Sequence, residues 1–473
     1  MNKPYVEQIE YIDPLQAFAG LKHLPYSLVL DSSDKNHNNS RYSFVMGQPV
    51  ETIEVKDGKA DVTNWEQRLS FDCEDPFTLI RERIAAWVTE TQRLPNLPPF
   101  QGGLAGLFGY DLGRYIEKLP SSTKNRAHIP DMAVGIYDQV LACDHLLQKS
   151  WVFTHAQNRE DAEKKHNHFL GLISEGYDIP PYEAAETHWV SNFTEKDYQD
   201  QVQKIIDYVK EGEIFQANLS QRLETKLPKG FDAFIHYTHM REINPAPFSC
   251  YMNLGGIKIS SVSPERFIAA KDGLVETCPV KGTRPHVENM KQDIALKEDL
   301  QNSEKDRAEN TMIVDLLRND LSKVCTPESV DVSDLCKLET FSNVHHLVSY
   351  IKGKLEHDKD SIDLLRACFP GGSITGAPKI RAMEIIEELE TDQRGPYCGS
   401  MGYIGFDGTM DTNILIRTLI YDQDGVSLQV GGGIVADSNP AQEYQETLDK
   451  AEGILKSFEH VQDIPEQKKS ALI

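Results

Sequence analysis

The sequence predicts an α+β fold of antiparallel sheets with flanking helices. Three observations predict it: short strand-like runs recur along the chain, tight turns such as Lys271-Asp272-Gly273 join neighbouring runs, and apolar stripes of helical period lie between them. At 473 residues, the length favours about two to three domains. The 49 Lys and Arg against 73 Asp and Glu leave a net charge of −24, which excludes the basic surface that non-specific nucleic-acid binding needs. Any anion site must be built locally, from a few cations, backbone N–H groups or a metal. No run of about 18 apolar residues occurs, residues 1–15 lack an apolar signal segment, and none of the eight cysteines has C-x-x-C spacing. A cytoplasmic protein off the membrane, with reduced and buried thiols, is expected.

Taken in order, strands are expected at 26–30 and 42–46 around a polar loop. Gly103, Gly106 and Gly109 punctuate the next strand. No G-x-G-x-x-G turn opens a helix there, so these glycines mark close backbone approach rather than a nucleotide loop. Pro-rich 93–99 and the stretch 175–190 read as seams, dividing the chain into 1–185, 190–460 and a frayed polar tail at 461–473. Beyond the second seam, Thr194 caps a helix with Asp197 at the third position, and Tyr198, Val202, Ile205, Ile206 and Val209 form its stripe. Strands are expected at 215–219, 248–253, 257–261, 266–270, 274–280, 400–406, 412–420 and 427–431. Helices are expected at 303–322, 361–367, 379–389 and 440–458.

Four features of this second part carry chemistry. If Lys271-Asp272-Gly273 is a three-residue hairpin loop, Ala270 faces Leu274, and Glu265 and Lys281 share one face about 7–8 Å apart. A two-residue loop puts them on opposite faces, and a solvent-exposed ion pair is the competing reading. Glu309 falls on the helical stripe of Met312, Ile313 and Leu316, where a carboxylate must be paired, protonated or bound to a metal. Arg417 sits in an apolar strand on the face of Leu415 and Leu419, and a buried guanidinium needs a carboxylate, internal or from a substrate. Finally, Pro370–Lys379 is a glycine loop that lacks the Gly-Lys-Ser/Thr ending of a nucleotide site but suits an oxyanion, and Gly431–Gly433 allow close ligand approach.

In fixed order the chain carries S-P-E-R-F, P-V-K-G-T, D-R-A-E-N, H-H-L-V-S, P-G-G-S-I-T-G-A-P-K, G-Y-I-G-F, I-R-T-L, G-G-G-I-V-A-D-S and Y-Q-E-T. Together these closely resemble the chorismate-utilising enzymes over nearly the whole length. The resemblance implies large antiparallel sheets packed face to face, and a Mg²⁺-dependent reaction on chorismate. It implies Glu309 and Glu446 as metal ligands, with Glu443 nearby. Arg417, Tyr403, Gly432 and Gly433 match carboxylate-binding positions, and Thr375, Gly376, His346, Thr283 and Gln216 match other substrate positions. Two residues select the branch. Position 281 is Lys, where anthranilate and isochorismate synthases carry Ala. Position 216 is Gln, where isochorismate and salicylate synthases place a water-activating Lys. The branch implied is the one that aminates chorismate at C4, towards p-aminobenzoate and folate, with Lys281 as nucleophile and Glu265 as acid–base residue. The alternative within the family is anthranilate synthase component I. Cys398 lacks a nucleophile-elbow setting, so ammonia is expected from a separate glutamine amidotransferase subunit. The family also includes proteins that hold tryptophan near the position matching Ser32. Here Leu30-Asp31-Ser32 departs from the Leu-Leu-Glu-Ser of feedback-inhibited members.

Overall fold

Runs rich in β-branched and aromatic residues form strands where the pattern expects them, among them Tyr42–Met46 and Phe248–Asn253. The computed structural model describes residues 3–35, 37, 39–90, 92–125, 128–174, 178–287, 289–340 and 344–459. The tail at 461–473 lies outside the described residues. Among the described residues, the strands form two twelve-stranded sheets whose ladders are antiparallel. Both sheets mix early and late chain: Ser27–Asp31 pairs with Phe248–Asn253 in the first, and Gly103–Phe108 pairs with Ser400–Gly405 in the second. The close approach expected of the glycine strand is present. Gly106 has φ 146°, and a Cβ there would lie 2.4 Å from the Ala133 carbonyl oxygen.

The sheets pack face to face. Leu28, Phe44, Met252 and Ile259 of the first interdigitate with Ala105, Leu107, Met401 and Tyr403 of the second. Helices cover the outer faces. Thr194 caps Glu195–Lys210, accepting from the Asp197 N–H at 3.1 Å, and the helix buries Tyr198, Val202, Ile205 and Ile206 against Ala217 and Leu219. Each such side chain contributes about 1.5–3 kcal/mol of burial, as an upper estimate. Across the molecule, Glu304–Ser322 buries Ile313, Val314 and Leu317 against the second sheet. All eight cysteines are buried and free. Among the described residues, no helix is long and apolar enough to cross a membrane.

Four local expectations are corrected. The hairpin loop is the two-residue Asp272-Gly273, with φ 52° and 76°, so Lys271 faces Leu274 and Ala270 faces Val275. Two successive positive φ values make a type I′ turn, whose twist matches the strands better than the three-residue alternative. The expected strand 274–280 is split: its ladder ends at Thr277, and Val280–Pro285 pairs with Val344–Lys354 instead. The run 412–420 is also split. Met410–Asn413 belongs to the second sheet and Thr418–Asp422 to the first, and 414–417 crosses between them. Finally, one helix stripe is rotated. Glu304–Ser322 buries Asn310, Ile313, Val314, Leu317 and Leu321, leaving Glu309 at the stripe's edge with Met312 and Leu316. Pro440–Leu455 buries Glu443, Thr447, Ala451 and Ile454.

Candidate active site

Where the sheets diverge, a cavity of about 830 Å³ opens between the glycine-rich strand Gly425–Ile434, the strand Val280–Pro285, the loop around Ser373, and the helices Glu304–Ser322 and Pro440–Leu455. Its size and concavity suit a small polar metabolite. Of the residues singled out in the sequence, Glu265, Lys281, Thr283, Glu309, His346, Arg417, Gly433 and Glu446 line it.

Glu265 and Lys281 meet here by a different route from the hairpin register. Lys281 keeps the register that Leu274–Thr277 makes with Val344–Lys354, a bulge between Arg266 and Ile268 re-aims the chain next to Glu265, and both side chains reach Ser373. The Ser373 hydroxyl donates to Glu265 Oε1 at 2.7 Å, and Lys281 Nζ donates to the Ser373 carbonyl at 3.2 Å. Burial pushes the Glu265 carboxyl up, opposed by the Ser373 hydroxyl and Lys281. Burial also pulls the Lys281 ammonium down, opposed by Glu309 and Glu265. Both shifts favour the neutral forms, a carboxylic acid beside a free amine.

A cluster of carboxylates stands opposite. Glu309 lies 4.0 Å from Lys305, and burial raises its pKa against the pull of Lys281 and Lys305. Glu443 is 5% exposed, accepts from the Ser438 hydroxyl at 2.6 Å, and is raised by burial. Burial acts on Glu446 the same way, but the Lys450 ammonium at 2.7 Å outweighs it and holds the carboxyl below its usual range. Gly432 lies beneath: a Cβ there would sit 3.3 Å from Glu443 Oε2 and 3.6 Å from Glu446 Oε1. Hard oxygen donors carrying like charge, partly desolvated, fit Mg²⁺. A tighter group of metal-ligating types, His286, Asp293 and His345, lies elsewhere, with its donor atoms within 4.8 Å of one another. Its carboxylate is already engaged by Lys297 at 2.8 Å, His345 at 2.7 Å and the Val287 N–H at 3.2 Å. That group fastens the helix Met290–Asn302 to the strand Val344–Lys354.

On the remaining wall, Arg417 adopts φ 52° and turns into the cavity, while Leu415 and Leu419 are fully buried. Among the described residues its guanidinium has no hydrogen-bond or ion-pair partner, and burial lowers its pKa. An unpaired guanidinium in a cavity is a ready anion site. His346 Nδ1 sits 2.9 Å from the Thr283 hydroxyl, and burial first, then Arg417, pushes the imidazole down to about 4, neutral at pH 7.

Several expected residues lie outside this cavity. Gln216 is fully buried behind Gly433, and neither polar atom of its side chain has a hydrogen-bond partner among the described residues. Thr375 spends its hydroxyl on the Gly371 carbonyl at 3.0 Å, and Gly376 packs on the Gln216 backbone. Ser373 and Ile374 line the cavity instead. Gly432 underlies the carboxylates without lining the cavity, whereas Gly431 and Gly433 do line it. Tyr403 and Ser32 line a separate cavity of about 320 Å³, with Tyr42, Phe44, Phe248 and Arg266. Tyr403 stacks on Phe100 there at 4.3 Å.

The structure adds wall residues that sequence reasoning missed, Tyr397, Asn218 and Lys450, picks Ser373 out of the glycine loop, and shows Glu443 to be a buried carboxylate. Tyr397 carried one signal, the rigid corner Arg394-Gly-Pro-Tyr. The others fall where no periodicity distinguishes a cavity wall from an exposed face.

A family model described as chorismate binding enzyme matches residues 27–456. The aminodeoxychorismate synthase component 1 of Salmonella typhimurium is 41% identical, covering 94% of this chain and 95% of that protein. The anthranilate synthase component 1 of Aquifex aeolicus is 33% identical, covering 96% and 94%. Among solved structures, anthranilate synthase component I from Streptococcus pneumoniae superposes with a TM-score of 0.77 at 32% identity, over 88% of this chain and 92% of that one.

Proposed function

The chain belongs to the chorismate-binding enzymes, and on that premise we propose that it aminates chorismate at C4, giving 4-amino-4-deoxychorismate. The observation that carries the reading is Lys281. A desolvated amine, lowered in pKa and bonded to Ser373 beside an acid raised in pKa, is the equipment of covalent catalysis. Similarity to the Salmonella aminodeoxychorismate synthase component supports the same branch.

In this reading Arg417, with Tyr397 nearby, receives one substrate carboxylate. The neutral Lys281 amine bonds to ring C2, both ring double bonds shift (C1=C2 to C1=C6, C5=C6 to C4=C5), and the C4–O bond breaks. Glu265 gives its proton to the departing hydroxyl, which leaves as water. Ammonia then bonds to C4, both double bonds shift back, and the C2–N bond breaks with its electron pair returning to Lys281. The new ammonium gives one proton to the Glu265 carboxylate, restoring both residues. Gln216 carries no basic group to activate water for attack at C2. Glu309 and Glu446, with Glu443 behind them, would hold Mg²⁺, which supplies positive charge to a second substrate carboxylate.

Ammonia comes from a separate glutamine amidotransferase subunit, in line with the component naming of the relatives. The free, buried thiols support a reducing, cytoplasmic setting. The test is product identity by mass spectrometry, from chorismate, Mg²⁺ and ammonium with the isolated chain. Exchange of hydroxyl for amine with the pyruvyl group retained is expected. Release of pyruvate with an aromatic product would overturn the reading in favour of anthranilate synthesis.

A second site follows from the cavity that holds Ser32. Its rings Tyr42, Phe44 and Phe248 suit the indole of a bound tryptophan. Equilibrium dialysis against labelled tryptophan is expected to give one equivalent bound, weakened when Ser32 is replaced by Trp to fill the space. Absence of binding at millimolar tryptophan rejects the site.

A further inference from the structure

We infer that Arg394 is a positioning residue: by gripping the carbonyl of Ile374 it sets Ser373, which bonds to both Lys281 and Glu265. The inference rests on the reading of Lys281 and Glu265 as the reacting pair. Arg394 is 2% exposed, with its charge met by Glu390. Nε donates to Glu390 Oε2 at 2.9 Å and Nη2 to Oε1 at 2.7 Å. Glu390 is itself fixed by the Ser220 N–H at 2.8 Å and the Ser220 hydroxyl at 2.7 Å. The guanidinium then reaches two further acceptors, the Ile374 carbonyl through Nη1 and the Asn218 carbonyl through Nη2, both at 3.0 Å. Its face lies 4.7 Å from the Tyr110 ring and 5.7 Å from that of Tyr397, a cavity wall residue.

These contacts fall on a segment with no slack. Three successive carbonyls each have a different partner: Ser373 takes Lys281, Ile374 takes Arg394, and Thr375 takes the Asn218 N–H at 2.8 Å. The Ser373 and Ile374 carbonyls lie in adjacent peptide planes hinged at the Ile374 Cα, so the Arg394 bond fixes one plane of that hinge and the Lys281 bond the other. The loop cannot relax backwards. Gly376 has φ 140°, and a Cβ there would meet the Gln216 carbonyl oxygen at 2.1 Å. A lysine at 394 brings one point charge where the guanidinium fork spans three acceptor residues.

The test is a double-mutant cycle with Arg394→Lys, Ser373→Ala and both together. It reads kcat and KM for chorismate consumption at saturating ammonium, alongside thermal melts. Arg394→Lys is expected to lower kcat by about 10- to 100-fold with KM for chorismate changed less than about threefold, the signature of misplaced reacting groups. The double variant is expected to lose less than the product of the two single losses, because Arg394 acts in part through the Ser373 hydroxyl on Glu265 while the 373 carbonyl on Lys281 survives in Ser373→Ala. Multiplicative losses, an effect on KM alone, or wild-type kcat in Arg394→Lys would each overturn the inference. Should Arg394→Lys fail to fold, Arg394→Met with Glu390→Met removes both buried charges together, which cores tolerate. That variant is expected to fold and to show the same kcat loss, and wild-type kcat in it rejects the role. Because the cycle is read on chorismate disappearance, coupling of 394 to 373 with an unaminated product would fault the proposed reaction and leave the positioning intact.

Discussion

Replacing Lys281 with alanine is expected to lower kcat/KM for ammonia-dependent chorismate amination by on the order of 10³-fold or more, since the nucleophile itself is lost. Stability should hardly change. Lys281 is half-buried at a cavity wall, and its one direct bond is to the Ser373 carbonyl, which the shortened side chain leaves open to water. The pH dependence adds a second, independent check. The productive form has Lys281 neutral and Glu265 protonated, so the rate rises with pH as the amine loses its proton and falls as the carboxyl does. The two groups interact, so the apparent values of the wild-type bell belong to the pair. In Lys281→Ala the ammonium that pulls the Glu265 carboxyl down is gone. The limb of the residual activity that reports Glu265 should therefore move to higher pH. Wild-type rates with an unmoved profile would remove the covalent step from the mechanism.

Glu309→Gln is expected to raise the Mg²⁺ concentration for half-maximal activity by at least about 100-fold, more than loss of an outer-shell partner costs. The carboxylate group of Glu309, Glu443 and Glu446 is held by burial on one side and by Lys305 and Lys450 on the other. Losing one of the three negative charges leaves the other two balanced by the two lysines, and the site no longer carries net charge to attract a dication. Titration calorimetry with Mg²⁺ in the absence of chorismate reads the same loss without turnover. An unchanged Mg²⁺ requirement in both measurements would exclude Glu309 as a ligand. Glu443 makes the useful contrast. It lies deeper and is bonded to Ser438, so Glu443→Gln tests whether the metal draws on two or three carboxylates.

The cavity also explains why some site residues were legible and others were not. Glu265, Lys281 and Arg417 stood out as charged groups beside Pro, Gly or apolar neighbours, where desolvation of charge demands a partner. Tyr403, Gln216 and Thr375 rest on the family resemblance and not on a local pattern. Tyr403 lies in the continuous strand Ser400–Gly405 and faces the inter-sheet core, whereas Tyr397 turns a corner into the cavity. Gln216 and Thr375 lie one layer behind the cavity wall.

By itself, the sequence determined the α+β class, about half of the helices and strands, and the family, because these follow from local periodicity, capping and long ordered motifs; helices such as Pro76–Glu90 and Arg159–Ser174 and the strand Val344–Lys354 went unread. Only the tertiary structure decided which charges meet. The two-residue turn at Asp272-Gly273, the bulge between Arg266 and Ile268 and the break at 414–417 each reset register. Strand register has a period of two residues, so a single step moves a side chain to the opposite face. Such steps depend on pairing with strands far away in the chain, which local pattern does not encode. Lys281 and Glu265 converge on Ser373 through those breaks and not through the hairpin that links them.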